Sequence, residues 1–265
     1  MTDAARRWER DLQSWSIPQP ILDQAPEPPW GFPTALFSRA AEQAVAEDPP
    51  GPSRLRALEA LPDGGVVLDV GVGGGAASLP LAPPARLLIG VDQSPRMLAS
   101  FAEACGRRGV AHREVQGDWP EVAPLVEPVE VVVCHHVLYN VGDLVPFVDA
   151  LTRHARRRVV VELTAEHPMA RLNELWRVLH GIERPDRPTA DDAHEVVREM
   201  GLSVQREEGE RPSLWWEVDR AERIAFVRRR LCVGPERDAE IEALLPAPQE
   251  EAPLRVVTLW WDVGG

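Results

Sequence analysis

Glycines and an acidic side chain are combined in one short segment of the chain, Val66–Ala76 (VVLDVGVGGGA). An apolar run leads into Asp69, which is followed by Gly71, Gly73 and Gly75. Glycine permits a positive φ in a tight turn, and it lets a ligand approach backbone N–H groups at the start of a helix. The segment is therefore predicted to end a buried strand, open a helix and bind a small ligand at the turn.

The glycines alone do not choose between two classes of ligand. The G-x-G-x-x-A pattern that begins at Gly71 also fits a dinucleotide-binding turn, and Asp92 follows at the spacing of about 20 residues at which either class is bound through ribose hydroxyls. Asp69 would face a pyrophosphate unfavourably, and Asp118 follows the third predicted strand, where it would accept from an adenine amino group. These carboxylates favour a cationic ligand. The structural alternatives are a turn without a ligand and a helix cap at Asp92.

Three segments resemble the class I S-adenosylmethionine (SAM)-dependent methyltransferase family: Leu68–Gly75 (LDVGVGGG), Gly90–Leu98 (GVDQSPRML) and Gly117–Trp119 (GDW). A fourth, Val133–Val141 (VCHHVLYNV), is similar to the strand-4 motif of the family's small-molecule members. The resemblance implies that SAM is the cofactor and that its methyl group is transferred to an acceptor, which the sequence does not identify.

The resemblance also implies which residues contact SAM: Asp69, Gly71, Gly73, Gly75, Asp92, Gln93, Met97, Asp118, Trp119, His135 and Arg39. Asp69 would approach the methionine amino group, Asp92 the ribose diol and Arg39 the methionine carboxylate, with His135 beside the methionine moiety. Around the adenine the resemblance places Gln93, Met97, Asp118 and Trp119. For Trp119, ordinary core packing is the alternative.

Three histidines near the predicted strand ends are candidates for a general base, which a hydroxyl acceptor would need: His135, His136 and His167. His135 and His136 are adjacent, so on an extended chain their side chains point to opposite sides. For each histidine, a hydrogen-bonded structural role is the more frequent alternative. No pair of histidines has metal-ligand spacing, so no metal is predicted.

The elements that position these residues alternate between short apolar runs and helical segments, which predicts a parallel, doubly wound sheet. The candidate strands are Val66–Val70, Leu87–Val91, Val110–Val115, Val129–Cys134, Arg158–Leu163, Leu202–Glu207 and Leu254–Val263. The predicted fold is α/β and Rossmann-like, with a seven-stranded sheet whose last strand the resemblance implies to be antiparallel. Pro80, Pro83 and Pro84 are expected to shorten the helix after the glycines without removing its N-terminus.

Residues 1–62 contain no convincing strand and are predicted to form an N-terminal helical cap. The SAM-binding domain would span 63–265, with cap insertions near 165–188 and 212–250. Tryptophans are concentrated in these segments: Trp8, Trp15, Trp30, Trp176, Trp215 and Trp216. We predict that Tyr139, Trp30 and Trp176 contact the substrate, because ligands of doubly wound sheets bind beyond the carboxyl ends of the strands. The alternative is that the cap segments only stabilise one another.

Charge and cysteine content narrow the partners. All 29 basic residues are arginine. The net charge of −13 disfavours a nucleic-acid partner, because such binding depends on neutralised phosphates. Three separated cysteines, no signal peptide and no apolar stretch of membrane-spanning length predict a cytoplasmic protein without a membrane partner. We expect a small, partly apolar acceptor. The alternatives are a non-catalytic SAM-binding protein and a nucleotide-dependent oxidoreductase, which Asp69 and Asp118 disfavour.

Overall fold

A computed structural model describes residues 2–31, 34–211, 213, 219–246 and 253–264. The described helices are α1 Asp3–Gln13, α2 Gln19–Leu22, α3 Thr34–Ala46, α4 Pro52–Ala60, α5 Pro95–Arg108, α6 Leu144–His154, α7 Asn173–His180, α8 Ala190–Glu199, α9 Arg220–Arg230 and α10 Asp238–Leu244. The described strands are β1 Val66–Val70, β2 Leu87–Asp92, β3 His112–Gln116, β4 Val129–His135, β5 Ala155–Thr164, β6 Gln205–Arg211 and β7 Leu254–Asp262.

The strands form one seven-stranded sheet in the order β3-β2-β1-β4-β5-β7-β6. Strands β1 to β5 are parallel, and β7 is antiparallel to both β5 and β6. This confirms the predicted Rossmann-like sheet with an antiparallel last strand. The chain order reverses between β1 and β4, and the crevice outside the carboxyl ends of such strands is where doubly wound sheets bind ligands.

Helices cover both faces of the sheet because its central strands are apolar on both sides. On one face, called here the α4 face, Val67, Val133 and Val160 pack with α3, α4 and α5. On the opposite face, Leu68 and Val132 pack with α1, α6 and α8. Strand β1 is buried along its whole length, as a central parallel strand should be.

A third cluster of buried side chains lies outside these two layers. It joins Leu172, Leu175 and Trp176 to α9 and α10, and Ile17 and Ile21 from the N-terminal segment pack against it. All three predicted cap segments therefore meet in this cap cluster. Residues 3–60 nevertheless contribute to all three clusters. The predicted cap residues Trp215 and Trp216 lie outside the described part of the chain.

The helix predicted to open at the glycines is absent, and that prediction is wrong. Residues 71–86, all of which are described, contain turns and one short 3-10 helix, Leu79–Leu81. Proline lacks an N–H and disfavours helical backbone in the residue before it, so Pro80, Pro83 and Pro84 remove the helix and do not merely shorten it. Helix α3 packs against Leu79–Leu81 and α5, so the N-terminal segment supplies a cover for this side of the sheet.

The other differences from the sequence predictions concern element boundaries. Strand β6 (QREEGER) begins later than predicted, because this edge strand carries polar residues and has no apolar run that marks its start. In the proline-rich part of the N-terminal segment, the structure contains the four-residue helix α2. Among the described residues, no helix combines the length and apolar character needed to cross a membrane.

Candidate active site

The glycine turn after β1 approaches the end of β4 too closely for a side chain. Gly71, Gly73 and Gly75 have positive φ values of 75°, 51° and 87°. A Cβ atom on Gly71 would lie 2.3 Å from Cγ2 of Val137, which follows β4. The glycine turn and the β4 end therefore form one wall at the point where the strand order reverses.

Helix α3 contacts the same turn from the N-terminal side. A Cβ atom on Gly73 would lie 3.0 Å from the Phe37 ring, and one on Gly74 would lie 2.4 Å from the Phe37 carbonyl oxygen. Arg39 is exposed on the same helix, two residues beyond Phe37. Arg39 therefore lies on the helix that contacts the glycine turn, and its proximity to a methionine carboxylate stays a prediction.

Asp92 joins the glycine turn to the start of α5. Its Oδ2 accepts a hydrogen bond from the Gly73 N–H at 3.0 Å, and its Oδ1 accepts one from the Ser94 N–H at 2.9 Å. Each carboxylate oxygen keeps further lone-pair capacity, which a ribose diol can use. The neighbouring candidates Gln93 and Met97 are exposed and half-buried, respectively.

Asp69 lies beneath the turn. The residue is only 1% exposed, and its Oδ2 accepts a hydrogen bond from the Ser78 hydroxyl at 2.6 Å. Burial raises the pKa of Asp69 to about 7, although the Ser78 hydrogen bond opposes the rise. Because the carboxyl group is buried, it has no accessible surface for the expected direct contact with a methionine amino group.

Asp118 and Trp119, the two residues after β3 that are predicted to bind adenine, lie in different environments. Asp118 is exposed, whereas Trp119 is buried in the core and donates from Nε1 to the Phe147 carbonyl at 3.3 Å. The indole also meets His154 edge-on, with ring centroids 5.0 Å apart. The structure therefore places Trp119 against α6 in the core role that was the alternative.

His135 ends β4 beside the glycine turn. Burial lowers the pKa of His135 to about 4, so the imidazole is neutral at neutral pH. Its Nε2 is buried and has no hydrogen-bond partner among the described atoms. A buried polar atom without a partner costs free energy, so its presence at this edge points to a ligand or water that completes it.

Glu162 is a buried acid that the sequence reasoning did not single out. It is fully buried within β5, and Oε2 accepts from the Ser53 hydroxyl at 2.7 Å and from Arg211 Nη2 at 2.9 Å. Nε2 of His136 lies 3.1 Å from Oε1. Burial alone would raise the pKa of Glu162, but Arg211 and His136 hold it well below its usual range. The available signal was one charged residue inside the apolar run VVVELT, which is rare without a partner.

Of the other predicted catalytic and substrate residues, His167, Tyr139 and Trp176 have structural contacts. His167 stacks on Trp15 with ring centroids 3.8 Å apart, and its Nδ1 accepts from the Met169 N–H at 3.2 Å. The buried Tyr139 hydroxyl donates to the Thr164 carbonyl at 2.9 Å. Trp176 is buried inside the cap cluster, so a direct substrate contact is not supported. Trp30 is 58% exposed.

Three features at the strand ends are compatible with a bound polar ligand such as SAM. The glycine turn leaves no room for side chains, and Asp92 presents a half-buried carboxylate next to it. His135 Nε2 supplies an unpartnered polar atom at the same edge. In the described part of the chain, no group of three His, Cys, Asp or Glu side chains is arranged to hold a metal ion.

Comparison with known proteins gives the class. Residues 67–158 match the family described as a methyltransferase domain. This match confirms the predicted resemblance to class I SAM-dependent methyltransferases, with SAM as the family's cofactor. This stretch of the chain is therefore similar to a methyltransferase domain. No curated protein sequence matches the chain.

Solved structures share the fold at low sequence identity. The YcgJ protein from Bacillus subtilis is 15% identical with a TM-score of 0.53, over 84% of this chain and 98% of that one. Magnesium protoporphyrin IX methyltransferase (ChlM) from Synechocystis PCC 6803, with bound SAH, is 16% identical with a TM-score of 0.52, over 87% and 84%. A cyclopropane-fatty-acyl-phospholipid synthase-like protein from Lactobacillus casei ATCC 334 is 16% identical with a TM-score of 0.53, over 96% and 99%.

Proposed function

We propose that this protein is an enzyme that transfers a methyl group from SAM to a small, partly apolar acceptor. The observation that carries the proposal is Asp92, which accepts from the Gly73 and Ser94 N–H groups at the strand-order reversal of a methyltransferase domain. This arrangement fixes the carboxylate beside a turn from which side chains are excluded.

The residues at the strand ends divide the work. Asp92 would accept from the ribose diol, and charge-assisted hydrogen bonds of this kind are the strong ones. Nε2 of His135 would form a hydrogen bond with the ligand, and Asp69, where ionised, would supply negative charge beneath the turn. SAM, when bound, supplies an electrophilic methyl group on a cationic sulfonium. The chain's task is then to position the acceptor and exclude water, which helps a reaction that disperses positive charge.

The structure disfavours the dinucleotide alternative for a reason that the sequence did not reveal. A pyrophosphate is bound at the N-terminus of the helix that follows a Rossmann glycine turn, where N–H groups and the helix dipole attract anions. Here no α-helix follows the turn, since residues 71–86 form turns and a single 3-10 helix. Where Asp69 is ionised, its buried carboxylate opposes an anion further.

The acceptor is proposed to bind under the cap cluster. The segments that pack there follow β5 and β6, and α2 precedes β1, so they surround the opening at one edge of the sheet. A net charge of −13 repels a polyanion at long range, which favours a small molecule over a nucleic acid.

Binding calorimetry with SAM, SAH and NAD tests the proposal. We expect micromolar binding of SAM and SAH and no binding of NAD. Removing a charge-assisted contact costs roughly 2–3 kcal/mol, so Asp92→Ala should weaken SAM binding by tens-fold or more. Asp149→Ala is the matched control, because Asp149 pairs with Arg153 on the surface of α6.

Two outcomes would contradict the proposal. Unchanged SAM affinity in Asp92→Ala would remove the assignment of Asp92, and binding of NAD in place of SAM would support the oxidoreductase alternative. Binding of SAM without release of SAH across a broad metabolite screen would instead favour a non-catalytic SAM-binding protein.

A further inference from the structure

A row of buried polar side chains crosses three adjacent strands on the α4 face. Glu162 pairs in register with His135 of β4 on one side and with Thr258 of β7 on the other. The hydroxyl oxygen of Thr258 and Nε2 of His135 are buried and have no hydrogen-bond partner among the described atoms. A packed apolar face would not leave such atoms, so the row is suited to receive a polar group.

Glu162 is held in its ionised form, and this fixes the hydrogen on its neighbour. Arg211 lies 2.8 Å from Oε1, and the Ser53 hydroxyl donates to Oε2 at 2.7 Å. Nε2 of His136 lies 3.1 Å from Oε1, an ion-pair distance without hydrogen-bond geometry. Because a carboxylate oxygen only accepts and repels a nitrogen lone pair, the tautomer with the hydrogen on Nε2 is favoured. In the neutral imidazole, Nδ1 then keeps a lone pair.

The backbone holds His136 at the edge where a ligand would bind. His136 has a φ of 59°, which is uncommon for a residue other than glycine, and its N–H donates to the Glu162 carbonyl at 2.6 Å. The next residue, Val137, packs against Gly71 of the glycine turn. The side chain is 38% exposed while its Nε2 lies against Glu162, so part of the ring stays accessible to an acceptor.

We propose that His136 is the base that takes the proton from a hydroxyl acceptor, and that Glu162 is the positioning residue that sets its tautomer. The inference rests on the proposed function and narrows its acceptor to a hydroxyl compound. The acceptor O–H proton goes to Nδ1 of His136, and the oxygen forms the new bond to the methyl carbon. The bond from that carbon to sulfur breaks with its electron pair on sulfur, so one positive charge passes from the sulfonium to the imidazolium.

The first test is a long-range ¹H–¹⁵N NMR spectrum of the ¹⁵N-histidine-labelled protein without ligand. We expect His136 above neutral pH to carry its hydrogen on Nε2. In Glu162→Gln the preference should fall, because an amide both donates and accepts, and Glu162→Asp should restore it. His112 is an internal reference for the opposite tautomer, since its Nδ1 lies 2.9 Å from the Val110 carbonyl oxygen, which only accepts.

A wild-type His136 with its hydrogen on Nδ1 would overturn the proposal, and this result needs no variant that might misfold. An unchanged tautomer in a folded Glu162→Gln would remove the role of Glu162.

The second test measures SAH release with phenolic and aliphatic hydroxyl compounds and with their amino counterparts. His136→Asn should lower kcat on the hydroxyl compounds by about 10²-fold or more, with SAM affinity unchanged within about twofold. His112→Gln should change neither. Turnover of amino compounds only, or of none of the set, would overturn the acceptor class. If the wild-type protein did not bind SAM at all, the proposed function itself would be wrong. Failure of the acceptor class and failure of the proposed function are therefore distinguishable.

Discussion

Gly71→Ala is expected to be among the most costly single-methyl changes in the chain. The new Cβ atom would lie 2.3 Å from Val137 Cγ2, and Gly71 has a φ of 75°. A positive φ costs roughly 1–2 kcal/mol in a residue other than glycine. Overpacking a close contact adds about 1–3 kcal/mol. The free energy of unfolding should therefore fall by about 2–5 kcal/mol, measured by urea denaturation.

A double-mutant cycle separates the two costs. Val137→Ala removes Cγ2, so in combination with Gly71→Ala it should relieve the packing cost and leave the roughly 1–2 kcal/mol of backbone strain. Gly106→Ala is the matched control, because Gly106 lies in α5 and a Cβ atom there would have no neighbour within 4 Å. That change should stabilise the protein by about 0.5–1 kcal/mol.

The reasoning would be refuted if Gly71→Ala unfolded within about 0.5 kcal/mol of the wild type. Additive effects of Gly71→Ala and Val137→Ala would also refute it, since the two residues would then not be in contact. A fall in SAM affinity in Gly71→Ala that Val137→Ala partly restores would tie the same contact to the proposed cofactor site.

Three further predictions concern pH and capping. Burial raises the pKa of Asp69 from 3.8 to about 7, so this group destabilises the fold increasingly from about pH 4 to pH 7, by about 4 kcal/mol in total; Asp69→Asn should gain on the wild type over that range in urea titrations, and a constant difference would contradict this. Burial and Arg184 lower the pKa of His167 from 6.5 to about 4, so stability is lost as the pH falls through this window, and His167→Gln should flatten the loss by about 3 kcal/mol. Thr189 forms a capping box with Asp192, so Thr189→Ala should cost about 1 kcal/mol; a change of a few tenths or less would count against the cap.

The sheet could be predicted from the sequence because its central strands are short, nearly continuous apolar runs such as Val66–Val70. The glycine turn and Asp92 follow from the same local pattern. The loss of the first helix does not, because prolines at positions 80, 83 and 84 are compatible with a shortened helix as well as with none. Local sequence could not show that α3, from the N-terminal segment, would pack beside that connection.

The cluster around Glu162 was missed for a different reason. Its partners come from three elements, with Ser53 109 residues away in sequence and Arg211 49 residues away. Periodicity reports which face of a strand is buried but not which distant side chain meets it. Trp119 shows the converse limit, since its position in a motif predicted a ligand contact while its indole packs on α6.

The contact between α3 and the glycine turn has a consequence for how the molecule can be divided. A fragment excised at residue 63 would keep every strand, yet it would lose the helices that shield Val67 and Leu88 on the α4 face. Such a fragment would expose apolar surface at the very turn that is proposed to bind the cofactor, and it would be prone to aggregate. The matched segment 67–158 is thus expected to need the N-terminal helices to cover its α4 face. Substitutions in α3 at positions that contact the glycine turn should therefore weaken SAM binding, although α3 is remote from that turn in sequence.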